Sequence, residues 1–312
     1  MRILYRLIAC LLGLCIYLAL FQRQFGFALA SKAAGQNQPC PWATLIRFPK
    51  HTMDFQNLQI EARNHVRQTG FDPVWGIGEY ATPDRKFWLK PEGKQQNGKD
   101  LLAFVIAEQQ WISSKAESYG VKPGDVVMDV GAHVGTFGDD ALRHGAARVI
   151  MVEPDPLNLE CIRRNFPKEI ADGRVVVIPE GAWSQDGSLD FFVGVANSGT
   201  GSLVIKEEGS RKIQVPVRRI DSMLARAGID RVDYLKMDIE GAEREALKGA
   251  TGLLKKWKPR LFLDAYHLPD DHVVLPKVIK SANAGYQMFC PVCCPSRIDN
   301  DSRIVPYAIF FY

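Results

Sequence analysis

The residues with the most chemical potential lie in three short strings. "LKMDIEGAERE" carries Lys236, Asp238, Glu240 and Glu243, and "LDAYH" carries Asp264 and His267. Carboxylates and an imidazole gathered this way suit two tasks. One is taking a proton from a hydroxyl, by Asp238 or His267 directly. The other is holding a divalent cation through some of Asp238, Glu240, Asp264 and His267, a donor set that fits magnesium, manganese or iron better than structural zinc. A structural reading stands beside both, in which Glu240 caps a helix starting at Gly241 and Asp238 holds a turn. Lys236 precedes Asp238 by two residues, so on a strand it shares that residue's face and can orient or pair with its carboxylate. Glu243 fits a first helical turn, where the helix dipole favours an acid.

The third string, "VVMDVGAHVGTFG", is an apolar run that ends in Asp129 and breaks into Gly131, Gly135 and Gly138. A dinucleotide loop needs a close Gly-x-Gly pair, and a Walker loop needs Gly-Lys-Ser/Thr; this string has neither. Asp129 beside the first glycine would repel a phosphate but suits a cationic ligand. S-adenosylmethionine is such a ligand, with an ammonium, a sulfonium and no phosphate. Gly131, Ala132 and Gly135 are expected to approach it. Glu153 and Pro154, in "VEPDP", follow the next strand, where a carboxylate can accept both ribose hydroxyls. Trp183, in "EGAW", is expected either to wall the cofactor pocket or to be ordinary core. "NSGTGS" is a substrate-side loop or a hairpin turn, and His133 is expected to pack near the cofactor.

Elements that would position these residues can be read from the hydrophobic period. Residues 126–130, 148–152 and 174–178 are short buried strands, separated by helices up to about residue 144 and over 156–166. Pro156 suits the first turn of the second helix, where its missing N–H costs nothing. Short alternating strands between 188 and 217 form an antiparallel insertion. Strand and helix then alternate again to the carboxyl end. This rhythm implies a mostly parallel sheet with helices on both faces, whose ligand lies beyond the carboxyl ends of the strands. Gly131, Glu153, Asp238 and Asp264 all fall there.

The strings "VKPGD", "VVMDVGAHVGTFG", "VEPDP" and "LKMDIEGAEREALKGA" together resemble the FkbM-type family of S-adenosylmethionine-dependent methyltransferases, over roughly residues 121–268. The resemblance implies the class I methyltransferase, Rossmann-like α/β fold with seven strands, and methyl transfer to a hydroxyl oxygen of a small-molecule, sugar or glycan acceptor. Asp264 stands where such sequences often carry Glu. A hydroxyl is a weak nucleophile, so the chemistry needs alignment and help with its proton. Two other readings stay open: a catalytically inactive binding protein that keeps this fold, and an NAD-dependent oxidoreductase. The intact set Asp129, Gly131, Gly135, Glu153 and Asp238 speaks against the first and the absent Gly-x-Gly against the second.

The rest of the chain bounds its setting. Of its 312 residues 46% are hydrophobic and 24% charged, a globular profile, and a net charge of +4 spread along the chain gives no nucleic-acid stripe. Residues 7–21 are uncharged and mostly apolar, after Arg2 and Arg6. Residues 1–30 are therefore expected to be a membrane anchor, or a signal segment cleaved near Ala30 with export of the rest. Because the methyl donor is made in the cytosol, an anchor leaving the domain on that side is favoured. Residues 31–55 read as a linker, 56–120 as an extension and 121–312 as the methyltransferase domain. Cys290, Cys293 and Cys294 sit in "CPVCCP" without the second pair that a zinc site requires. A disulfide from Cys40 to this cluster is attractive only in an exported domain.

Overall fold

The computed structural model describes residues 23–36, 39–91, 98–195, 197–296 and 303–312. Helices α1 (Arg23–Ala33) and α2 (Trp42–His65) come first. An antiparallel sheet of β1 (Arg67–Asp72), β2 (Ile77–Ala81) and β3 (Lys86–Leu89) follows, then helix α3 (Lys99–Lys115). The central sheet begins with β4 (Val126–Val130), α4 (Thr136–Arg143), β5 (Arg148–Val152), α5 (Pro156–Asn165), the short α6 (Pro167–Ala171) and β6 (Val175–Ile178). A second small sheet is made of β7 (Gly181–Ala182), β8 (Gly187–Val193) and β9 (Arg211–Arg218). The chain returns through α7 (Ile220–Ala227), β10 (Tyr234–Met237), α8 (Glu243–Lys248), α9 (Thr251–Lys256), β11 (Arg260–Asp264), α10 (Asp271–Ala282), β12 (Met288–Pro295) and β13 (Ile304–Phe311).

The central sheet has seven strands in the order β12-β13-β11-β10-β4-β5-β6, and only β13 runs against the others. This is the mixed, mostly parallel sheet expected of a class I methyltransferase. Alternate residues of each strand feed opposite layers, as a period of two requires. Val127 packs with Ala107, Trp111, Phe137 and Ile162 on one face, and Met128 with Met223, Leu247, Leu253 and Ile279 on the other. Both faces being covered explains why the strands read as continuous apolar runs. Helix α5 starts as its sequence suggests, with Pro156 in its first turn and the Asp155 side chain accepting the Leu157 N–H at 2.7 Å.

One expectation needs correction. Much of residues 31–55 is helix rather than linker, since α1 reaches Ala33 and α2 starts at Trp42. Pro49 inside α2 and its many polar residues hid the helix. Its stability comes from burying Thr44, Leu45, Phe48 and His51 rather than from a clean apolar stripe. The apolar residues 7–21 lie outside the described residues. Among the described residues no helix is long and apolar enough to cross a membrane.

The amino-terminal arm is fastened to the sheet edge. Thr44 Oγ1 donates to the Cys290 carbonyl at 2.7 Å, and Cys40 is disulfide-bonded to Cys293 on β12, 253 residues away in sequence. Cys290 and Cys294 remain buried thiols. Removing a native disulfide typically costs about 2–5 kcal/mol. Cys40→Ser, or reduction of the wild type, is therefore expected to lower the melting temperature by several degrees. Equal melting with and without reductant would show that the bridge does not stabilise the fold.

Candidate active site

The strand ends bring the expected residues to one cavity. It is lined by Gly131, Ala132, His133, Glu153, Pro154, Asp238, Glu240 and Asp264, among others, and encloses about 1280 Å³ including its open mouth.

Gly131 directly follows β4 and has φ +79°. A Cβ there would lie 1.9 Å from the Asp238 carbonyl oxygen, so the β4 and β10 ends approach this closely only with glycine. Gly135 also has a left-handed backbone, but it faces Phe166 rather than the cavity and begins helix α4. It shapes the loop without lining it. Asn165 ties this loop to the amino-terminal sheet: its Nδ2 donates to the Val134 carbonyl at 2.9 Å, and its Oδ1 accepts the Trp88 N–H at 2.6 Å.

Asp129 does not line the cavity. It is fully buried beneath the loop, opposite Lys236 in the β4–β10 register, with Lys236 Nζ 3.3 Å from its Oδ1. Its charge is answered by the protein's own ammonium. Lys236 also donates to the Gly131 carbonyl at 3.0 Å and sits 4.0 Å from Asp238. Burial opposes the lysine charge, but Asp129, Asp238 and Asp264 outweigh it and hold its affinity for a proton above the ordinary value. Lys236 is thus a fixed cation that positions the loop and Asp238, not a proton carrier.

Glu153, just beyond β5, is oriented by the backbone N–H groups of His133 and Asp155 at 2.8 and 2.9 Å. The Asn158 side chain is a third donor to it, so of about four acceptor positions one is left facing the cavity. Burial is the main reason its pKa is pushed up to about 8. A carboxyl that holds its proton more tightly when folded weakens stability as pH rises through the gap between its unfolded and folded values. Stability of the ligand-free protein is expected to fall between about pH 5 and pH 8, by up to about 1.4 kcal/mol per pH unit from this group. Glu153→Gln should remove that share of the slope in denaturant titrations. An unchanged slope would contradict the assignment.

At the other end, Asp264 is buried at the tip of β11. Burial, then Asp238 and Glu108, raise its pKa well above the usual carboxylate range. His267 lies behind Asp238 and Glu240, with Nε2 3.5 Å from a carboxylate oxygen of each, and its Nδ1 is 3.0 Å from Glu243 Oε1. Burial works against its charge, but Glu243, Glu240 and Asp238 outweigh it and favour the imidazolium. A histidine so held is a poor base. Asp238, whose side chain keeps 29% exposure and lines the cavity, is the better one. Glu240 is not a helix cap either. Helix α8 begins at Glu243, whose Oε1 accepts the Ile239 N–H at 2.9 Å, while Glu240 has φ +53°.

Three placements were not fixed by the sequence. Trp183 packs beside Phe191, Val215 and Val217 of the second small sheet and does not line the cavity. The "NSGTGS" loop does line it, through Asn197, Ser198, Gly199, Thr200 and Gly201, and Ser198 Oγ lies 2.8 Å from His133 Nε2. A roof from α3, including Phe104, Glu108 and Gln109, was missed because its apolar spacing looks the same whether it covers core or cavity.

Residues 129–288 match the Methyltransferase FkbM domain, about half of the chain. The chain belongs to the FkbM methyltransferase family. Among relatives of this FkbM-family chain, Hexuronic acid methyltransferase AglP of Haloferax volcanii is 30% identical over 132 residues, covering 42% of this chain and 52% of the relative. Methyltransferase sdnD of Sordaria araneosa is 27% identical over 153 residues, covering 39% of this chain and 59% of that protein. The 31-O-demethyl-FK506 methyltransferase FkbM of Streptomyces tacrolimicus is 26% identical, with 41% and 60% covered. The similarity thus spans little more than half the length of these curated relatives. Among solved structures, Methyltransferase FkbM from Methylobacillus flagellatus KT aligns with a TM-score of 0.43 and 19% identity, over 84% of this chain and 59% of that one. The FkbM match includes Asp129, Glu153, Lys236, Asp238, Glu240, Asp264 and His267, but neither α3 nor β13.

Proposed function

We propose that this protein transfers a methyl group from S-adenosylmethionine to a hydroxyl oxygen of a small-molecule or sugar acceptor. The observation that carries this reading is one continuous cavity with a hydroxyl-accepting carboxylate, Glu153, at one end and the acids Asp238 and Asp264 at the other. The donor fits the residues present: Glu153 lines the cavity with an acceptor position left for a hydroxyl, and the Gly131 turn clears space that any side chain would distort. When bound, the donor supplies a methyl carbon already activated by its sulfonium.

The chain's own residues then have three tasks. The Gly131 loop and Glu153 hold the nucleoside. The roof of α3 and the loop through Ser198 exclude water and align the acceptor for in-line attack. Asp238 accepts the hydroxyl proton as the new carbon–oxygen bond forms and the carbon–sulfur bond breaks, its electron pair staying on sulfur. Lys236 and His267 hold that carboxylate in place. The names of two relatives, a hexuronic acid methyltransferase and a 31-O-demethyl-FK506 methyltransferase, support an oxygen-bearing acceptor, including sugar acids.

Calorimetric titration with S-adenosylmethionine, S-adenosylhomocysteine and NADH tests the donor, followed by labelled methyl transfer to uronic-acid and other hydroxylated acceptors. Binding of the methyl-donor pair and not of NADH is expected. A folded protein that binds neither member of that pair would favour a retired enzyme, and NADH binding an oxidoreductase. As to location, the Cys40–Cys293 bridge supports an oxidising compartment over the cytosolic side that donor synthesis favours. Protease protection on intact cells or spheroplasts distinguishes the two sides.

A further inference from the structure

We propose that Asp238, Glu240 and His267 form a binding site for a divalent cation of the magnesium or manganese class, at the acid end of the cavity. One potential ligand atom from each residue lies within 4.8 Å of the other two. His267 Nε2 is 3.5 Å from both Asp238 Oδ1 and Glu240 Oε2. Neighbouring ligands of an octahedral ion with bonds of about 2.0–2.1 Å stand about 3 Å apart, so the histidine pairs at 3.5 Å need only a small contraction and the two carboxylates, within 4.8 Å of each other, are drawn together by the ion.

The independent sign of a ligand is the imidazole. The His267 side chain is only 2% exposed, yet its Nε2 is buried without a hydrogen bond and points between the two carboxylates. Its other nitrogen is fixed by Glu243, a fully buried carboxylate that also accepts the Ile239 N–H. A histidine held by a carboxylate on one nitrogen, with the other aimed at anionic oxygens, has the arrangement of a metal ligand and its supporting acid. Charge agrees: Asp238, Glu240 and Glu243 surround one imidazole, and the nearest lysine, Lys236, is shared with buried Asp129. A cation would take the place of the proton on Nε2.

Asp264, the fourth residue of the sequence-level set, does not belong to this trio. Three protein ligands leave coordination positions open, and Asp238 and Glu240 both border the cavity where the acceptor would sit. Service to an acceptor hydroxyl rests on the methyl-transfer reading above, whereas the existence of the site does not.

Titration of the metal-stripped full chain with Mn²⁺ alone, followed by calorimetry and by the electron paramagnetic resonance signal of free Mn²⁺, is the test. One ion per chain is expected. Glu240→Gln, at a partly exposed position where folding should survive, is expected to weaken binding at least tenfold. Glu243→Gln, which touches no ion, should weaken it about 10- to 100-fold by releasing the imidazole. Failure of the folded wild type to bind Mn²⁺, or equal affinity in Glu240→Gln, would overturn the site. Donor titrations without metal report separately on the methyl-transfer reading, so the two can fail independently.

Discussion

Gly131→Ala should abolish measurable binding of S-adenosylmethionine while leaving most secondary structure in place. The added Cβ would sit 1.9 Å from the Asp238 carbonyl oxygen and 2.9 Å from a methyl of Ile239, at a φ of +79° that L residues rarely adopt. The loop must move by more than an ångström, away from the end of β10. Misplacement by about an ångström can cost about a hundredfold in rate at a reactive site, and here the displaced element is the donor loop itself. Calorimetry with S-adenosylhomocysteine gives the readout, and circular dichroism checks the fold. Wild-type affinity in Gly131→Ala would mean that the nucleoside does not use this turn.

Lys236→Met is expected to destabilise the protein more than any other single change at the site. Its ammonium answers Asp129, which is completely enclosed, and methionine would leave that carboxylate unpaired. Breaking a buried pair by removing one partner costs about 3–5 kcal/mol. The double variant Asp129→Asn with Lys236→Met removes both charges and should recover a large part of that loss. Denaturant unfolding of the two single variants and the double variant gives the coupling directly. Additive losses would show that the pair is not the source of the effect. Activity need not return with stability, because Asp238 and the Gly131 carbonyl also lose their contact with Lys236.

How far the sequence could be read depended on whether a signal was local. Gly131, Glu153, Asp238 and Asp264 were placed at strand ends because short apolar runs with a glycine or acid behind them mark buried parallel strands. The cavity confirms that they converge. Asp129 was misplaced because a strand-terminal acid looks the same facing a ligand or a lysine; only the β4–β10 register separates these. Trp183 was undecidable for a similar reason, since its neighbours come from a sheet formed with residues over thirty positions later. Helix α2 escaped notice because its buried face is small and carries Thr44 and His51. Cys40 had three candidate partners in "CPVCCP": Cys294 packs into the main core, Cys290 and Cys293 both share the cluster around Cys40, and the bridge is to Cys293.

The place of β13 in the sheet has a consequence for biosynthesis. Among the described residues, strand β12 pairs in the central sheet with β13 alone, and β13 links it to β11. On the ribosome, β4, β5, β6, β10 and β11 can associate while later residues are still being added, but β12 must wait until residue 311 has emerged. The Cys293 thiol therefore enters the sheet only after β13 has been made, although Cys40 is made long before it. Any oxidation during synthesis would meet Cys40 with its native partner missing. Disulfide formation is thus expected to follow the pairing of β12 with β13, in contrast to the piecewise closure open to a sheet built in chain order.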